Sequence, residues 1–261
     1  MKLDDLPLTA AGPAAWRIGS SEDTDYTGWD AVALAQALAS DVSAPTLVFL
    51  PSGASTPYTL QQEAEAWALA GPPGALRLDL LFRGDRVIWT PQRVLVIGAP
   101  ERLPDVTAAV ARFTRLQREL RAIEQAAHSN LLAAELDVAL THAVTAADLA
   151  QQPRVGTLTQ AVHQSRIRIT RLEASLAQPG ERLSGASRRM VSELALQAEF
   201  AERLRTLDDQ IEVAQDIYDT VNDRLTEFSH FLREYRIEIL IVVVLALEVG
   251  LVVWDILRAA L

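Results

Sequence analysis

Hydrophobic positions along this chain follow two different periods. Up to about residue 100 the apolar residues fall in short runs of strand length. TLVFLPSG (46–53) is closed by Pro51 and Gly53, as suits a buried strand. LRLDLLFR (76–83) and RVIWT (86–90) flank Gly84-Asp85, which predicts a hairpin, and RVLVIG (93–98) adds a further strand. Two segments have helical spacing and good helix formers: WDAVALAQALASDV (29–42) and YTLQQEAEAWALA (58–70). The second runs into Gly71-Pro72-Pro73-Gly74, a helix stop. These elements predict a small sheet covered by two helices, an α/β head over 1–104.

Beyond Pro104 the period becomes helical. Asp105 is the expected N-cap, and Val106, Val110, Phe113, Leu120 and Ile123 recur at helical intervals, predicting a helix over 105–145. A Pro-containing break at 151–156, a helix over 158–176 and a loop at 179–185 complete a helical region spanning 105–184. The strongest periodic signal follows. Phe200, Leu204, Leu207, Ile211, Ala214, Tyr218, Val221, Leu225, Phe228, Leu232 and Tyr235 are spaced 4, 3, 4, 3 without a slip. They predict a coiled-coil-like stalk helix over 185–236, about 75 Å long. Its seam, from Leu204 to Leu232, is expected to pack on the two preceding helices as antiparallel neighbours.

The chain then turns apolar on every side. Residues 237–257 would rise about 31 Å as a helix, the thickness of a hydrocarbon core. Within 239–254 the only charge is Glu248. A carboxylate at a helix centre costs about 2.5–3.5 kcal/mol, whereas each Val, Ile or Leu returns about 0.3–0.6 kcal/mol. The balance predicts a transmembrane helix over 237–257. Arg224, Arg233 and Arg236 on one side, against Arg258 on the other, place the N-terminal part in the cytoplasm of a single-pass, tail-anchored protein. Carrying the heptads forward puts Ile239, Val242, Ala246, Val249 and Val253 on the seam, with Glu248 and Asp255 off it. Glu238, Glu248 and Asp255 are the candidate membrane carboxylates. The economical way to shelter the latter two is self-association that brings the Glu248 faces of several copies together, with a different protein partner or a protonated Glu248 facing lipid as alternatives.

Composition narrows the chemistry. The net charge of −10 argues against a nucleic-acid partner, because phosphate binding needs a basic surface and Arg188-Arg189 is the main basic cluster. Without cysteine there is no disulfide or thiolate metal site. The N-terminus, with Asp4 and Asp5, is no secretory signal. His128, His142, His163 and His230 form no metal-binding pair, and the first two are separated by about 21 Å of helix. No P-loop or dinucleotide fingerprint occurs. PSGAS (51–55) after a strand reads as a turn sooner than an anion cradle, and Asp79 and Asp85 read as strand-face and hairpin-turn residues. No cofactor, metal or catalytic pair is expected.

VNDRL, with Asn222, Arg224 and Leu225, then Arg236-Ile237-Glu238, then Glu248-Val249 ten residues on, resembles the required for meiotic nuclear division family, a domain of unknown function. That family has the patterns LN-x-RL, R-L-E and IEV at this spacing, and Ile239 stands where it usually has Trp. The resemblance covers the last 60 residues or so. It implies a membrane-anchored, non-enzymatic oligomer. The layout is also similar to CorA-type magnesium channels. Those have a second membrane helix and a Gly-Met-Asn loop, which a chain whose methionines are Met1 and Met190 lacks. The sequence therefore predicts an α+β protein: a small head, a long antiparallel helical stalk and one C-terminal transmembrane helix. The expected function is a membrane-anchored, self-associating scaffold or adaptor without catalytic activity. Membrane lipid, further copies and an unknown protein are the expected partners. The alternative is an oligomeric assembly that handles cations or protons through Glu248 and Asp255.

Overall fold

A computed structural model describes residues 12–19, 28–39, 45–52, 56–71, 74–177 and 183–260. Most of the 51–55 turn, the first part of the 179–185 loop, the first eleven residues and the side chains of Val253 and Asp255 lie outside the described residues. The chain divides into two compact units, Met1–Ala122 with Ile169–Arg205, and Ile123–Arg168 with Thr206–Leu261.

The first unit is built on a six-stranded mixed sheet: β1 (Ala14–Gly19), β2 (Gly28–Val32), β3 (Thr46–Pro51), β4 (Leu78–Phe82), β5 (Asp85–Trp89) and β6 (Arg93–Gly98), in the order β2-β1-β3-β6-β5-β4. β3 and β6 are the parallel pair at its centre, and all six residues of β3 are buried. Both faces are covered, so alternate residues point into different cores. Val48, Leu50, Ile88 and Leu95 pack with Ala37 of α1 (Leu34–Ala39) and Ala64, Trp67 and Ala68 of α2 (Tyr58–Leu69). On β5, Trp89 alternates with Ile88. Its ring meets Phe113 edge-on at 4.8 Å and its Nε1 donates to Thr114 Oγ1 at 2.9 Å, both on α3 (Leu103–Asp137). Phe113 in turn lies 5.7 Å from Phe200.

Four strands and α2 form where the apolar runs predict them, but the first expected helix does not. Trp29 to Val32 pair antiparallel with β1, from Ala15↔Val32 to Gly19↔Gly28, leaving a helix of only six residues after them. Trp and Val favour a pleated surface, and an available partner strand outweighs the helical spacing of the alanines that follow. The hairpin turn is Arg83-Gly84, with φ of +52° and +87°, the left-handed pair that a two-residue turn requires. Asp85 is therefore drawn out of the expected turn and into β5. It is 1 % exposed, accepting from Arg102 Nε at 2.6 Å, Arg102 Nη2 at 2.7 Å and the Ala99 N–H at 3.1 Å. Asp79 stays on the strand face, bound by Arg86 at 2.7 and 3.0 Å. Arg93 closes the end of α2 by donating to the carbonyls of Trp67 and Ala70.

The helices also depart from expectation at their ends. α3 starts at Leu103 and stops at Asp137, followed by a 3-10 turn over Val138–Thr141. The expected break at 151–156 is instead the start of α4 (Gln152–Ala177), because Pro153 falls in the first turn, where no backbone N–H is needed. The single stalk helix over 185–236 is interrupted. α5 (Gly185–Gln197), capped by Ser184 Oγ on the Ser187 N–H, ends at Ala198. Glu199 then takes φ +54°, and α6 runs over Phe200–Ala260. The break falls where the 4-3 spacing begins, at Phe200, which is buried beside Phe113.

The expected transmembrane helix over 237–257, and with it the tail anchor, the single-pass membrane location and the cytoplasmic N-terminal part, is overturned. Among the described residues no helix is long and apolar enough to cross a membrane. The apolar run of α6 with described side chains is 239–251, thirteen residues interrupted by Glu248. That is about 20 Å of helix against a hydrocarbon core of about 30 Å. Widening it to eighteen residues over 234–251 brings in Glu234, Arg236 and Glu238.

In the second unit the ends of α3 and α4 and the body of α6 pack antiparallel, as the polar contacts record. Asp137 meets Arg154 and Asn130 meets Ser165 between α3 and α4, while Thr159 meets Asn222 and Arg166 meets Gln215 between α4 and α6. Between these contacts lies an apolar core that includes Ile123, Ala127, Val155, Val162, Leu207, Ile211 and Val221.

Candidate functional site

The seam of α6 is the longest ordered feature of the chain, and its burial has a clear end. Leu204 and Leu207 are about 5 % and 4 % exposed, Ile211 1 %, and Tyr218, Val221 and Leu225 are wholly buried. Phe228 and Leu232, the next seam positions, are only half-buried, and Tyr235 is exposed. From there the seam continues through Ile239, Val242, Ala246 and Val249, all exposed among the described residues. The ten large apolar residues between Ile239 and Leu251 are each 46–66 % exposed. The aromatic rings at the transition form a ladder, Phe228 to Phe231 at 6.4 Å and Phe231 stacked on Tyr235 at 6.4 Å.

At the buried end, three helices meet in a polar node that the sequence did not reveal. The Asp137 carboxylate, at the last residue of α3, accepts from Arg154 Nη2 at 2.5 Å in the first turn of α4. The phenol of Tyr218 is buried beside them, near the Asp137 carboxylate. Burial first, then the Asp137 charge, pushes the Tyr218 phenol up to about 12. The clue was present: Tyr218 is a hydroxyl within a fully buried apolar stretch of the seam, and a buried hydroxyl calls for a polar neighbour. Nothing in the spacing identified Asp137 or Arg154 as that neighbour.

The neutral phenol is the form that the fold stabilises, so the linkage has a definite sign. Its contribution is complete below pH ~10 and is lost as the pH rises from about 10 to about 12, where the unfolded chain ionises first. Wild-type stability should fall by on the order of 2 kcal/mol more than that of Tyr218→Phe over this interval. Chemical denaturation at both ends of it measures the difference, and equal slopes for the two proteins would contradict the assignment.

The residues that carry the family resemblance occupy both regimes. Leu225 is fully buried and Asn222 Nδ2 donates to Thr159 Oγ1 at 2.8 Å, so both hold α6 within the second unit. Arg224 pairs with Glu227 at 3.2 Å on the surface. Arg236, Glu238 and Glu248 are exposed on the uncovered part of α6. The two glutamates are separated by about 15 Å of helix, so a single chain does not bring them together.

Two histidines far apart in sequence do converge. His142 and Val144, after the 3-10 turn, line an open groove of about 670 Å³ together with Arg224, Glu227, Phe228, His230, Phe231 and Glu234 of α6. Among the described residues no group of three or more His, Asp or Glu side chains is placed to hold a metal ion. The groove combines aromatic surface with charges of both signs. No family model matches the chain and no curated protein matches it, so the likeness to the required for meiotic nuclear division family rests on the C-terminal residues alone.

Proposed function

We propose that this protein is a non-catalytic scaffold that self-associates through the part of α6 its own helices leave uncovered. One observation carries the reading: a heptad seam buried within the chain as far as Leu225 continues, in the same register, through an exposed apolar run. Ten large apolar side chains about half exposed present on the order of 1,000 Å² of apolar surface. A monomer rarely exposes more than a few hundred Å², and a stable interface needs about 800 Å² per partner. A second copy is the partner that supplies a seam of identical period and length. Because the run is apolar on all sides, neighbours on more than one side are needed, so assembly beyond a dimer is expected.

Glu248 lies off the extended seam, so Glu248→Leu removes a charge without removing an interlocking position. That variant should keep the wild-type mass by sedimentation equilibrium of the full chain. A drop to single copies would show that Glu248 is itself a required contact and that the seam is not the interface.

A further inference from the structure

The face that α6 offers to another copy is not free along its whole length, which limits how a copy can lie on it. As far as Leu225 the seam is occupied by the chain's own helices: Asn222 donates to Thr159 of α4, and Tyr218 lies beside Asp137 at the end of α3. α6 continues as a single helix over Phe200–Ala260, and from Ile239 to Val249 the same face is exposed. Two helices that touch lie about 8–10 Å apart, and each is about 10 Å thick. A copy laid seam to seam in the same direction must fit the α3 and α4 of both chains between the two α6 helices. Those helices would have to meet only about 21 Å further on, at Ile239. One continuous helix cannot close that gap in that length. A copy laid in the opposite direction carries its α3 and α4 towards the first copy's C-terminal end, and the collision is avoided.

The side chains then select a register. Antiparallel seams interlock when the first apolar position of one heptad faces the second of the other. The register that sets Ile239 against Val242 also sets Tyr235 against Ala246 and Leu232 against Val249, so the largest side chain of the exposed seam meets its smallest. Facing positions that alternate large and small fill the space between helices. A parallel pair would instead set Tyr235 on Tyr235 and leave a hole at Ala246. The antiparallel register also brings a second copy over Leu232 and Phe228, which the chain itself leaves half-buried. There the open groove lined by His142, Val144 and Phe231 receives its C-terminal end, which carries the exposed Leu251 and Trp254. We infer that a second copy's α6 lies antiparallel on the exposed seam, Tyr235 against Ala246, with its C-terminal end in the groove beside His142. The inference rests on the self-association proposed above and adds its direction and register. Copies enter such an arrangement in opposed pairs, so their number is even.

The chain has no cysteine, so introduced thiols report on their neighbours without background. Tyr235→Cys and Ala246→Cys, each in the full-length chain, are produced singly and co-expressed, then oxidised and sized without reductant. A disulfide needs Cα atoms within about 7 Å, and antiparallel copies hold like positions about 16 Å apart along the helix. The mixed dimer from co-expression should therefore exceed either self-linked dimer by roughly tenfold or more. Self-linked dimers of each single variant would show copies running in the same direction, overturning the inference while self-association stands. An assembly of wild-type mass with no cross-link in any sample, or with an odd number of copies, would overturn it in the same way. Single copies by sedimentation would overturn the pairing and the association together.

Discussion

Placing a carboxylate at two uncovered seam positions, Val242→Asp with Val249→Asp, should reduce the assembly to single copies. Both valines are more than 60 % exposed in the isolated chain, so the change costs the fold almost nothing. In an assembly the same positions lie in an apolar interior, where an unpaired carboxylate costs several kcal/mol or must take up a proton. Two such groups per copy should raise the dissociation constant by roughly a thousandfold or more, since every 1.4 kcal/mol is about tenfold. The helical content and the denaturation midpoint of the single copies should remain close to those of the wild type at equal dilution. An unchanged mass would mean that these residues do not meet another copy.

The second large effect is within the head. Gly98, at the end of β6, lies against the buried Asp85 carboxylate, and a methyl group there would run into it. Asp85 cannot move aside without giving up its bonds to Arg102 and to the Ala99 N–H. Gly98→Ala should therefore destabilise the protein by about 3 kcal/mol, through overpacking and the breaking of a buried ion pair. Gly156→Ala provides the opposite sign. It lies inside α4 with open space where the methyl would go, so the gain in helix propensity should stabilise by roughly 0.5–1 kcal/mol. Urea denaturation compares the two. Equal effects would contradict the role given to the Asp85 site.

What could be read from the sequence follows from how local each signal is. β3, β6 and the β4–β5 hairpin each announce themselves within six or so residues, and α2 carries both its period and its stop. β1 and β2 do not, because an alanine-rich strand is recognisable only beside its partner. The seam was legible residue by residue, including its start at Phe200, yet the spacing cannot say how far the chain's own helices reach along it. That limit is set by where α3 ends at Asp137 and α4 begins at Gln152, which fixes the last covered position at Leu225. The transmembrane expectation rests on 237–257 as one helix whose apolar residues outweigh the cost of Glu248. Over the described residues the run is shorter and bordered by Glu234, Arg236 and Glu238. The buried Asp85 was misread for a related reason: a one-residue shift of a tight turn converts a solvated aspartate into an anchored one.

The central claim is that other copies of the chain cover the apolar end of α6. Analytical ultracentrifugation of the full-length protein, detergent-free and mixed with phospholipid vesicles, tests it most directly. The account predicts a discrete species of three or more copies that sediments apart from the vesicles. A monomer, or protein that floats with the vesicles, would contradict it.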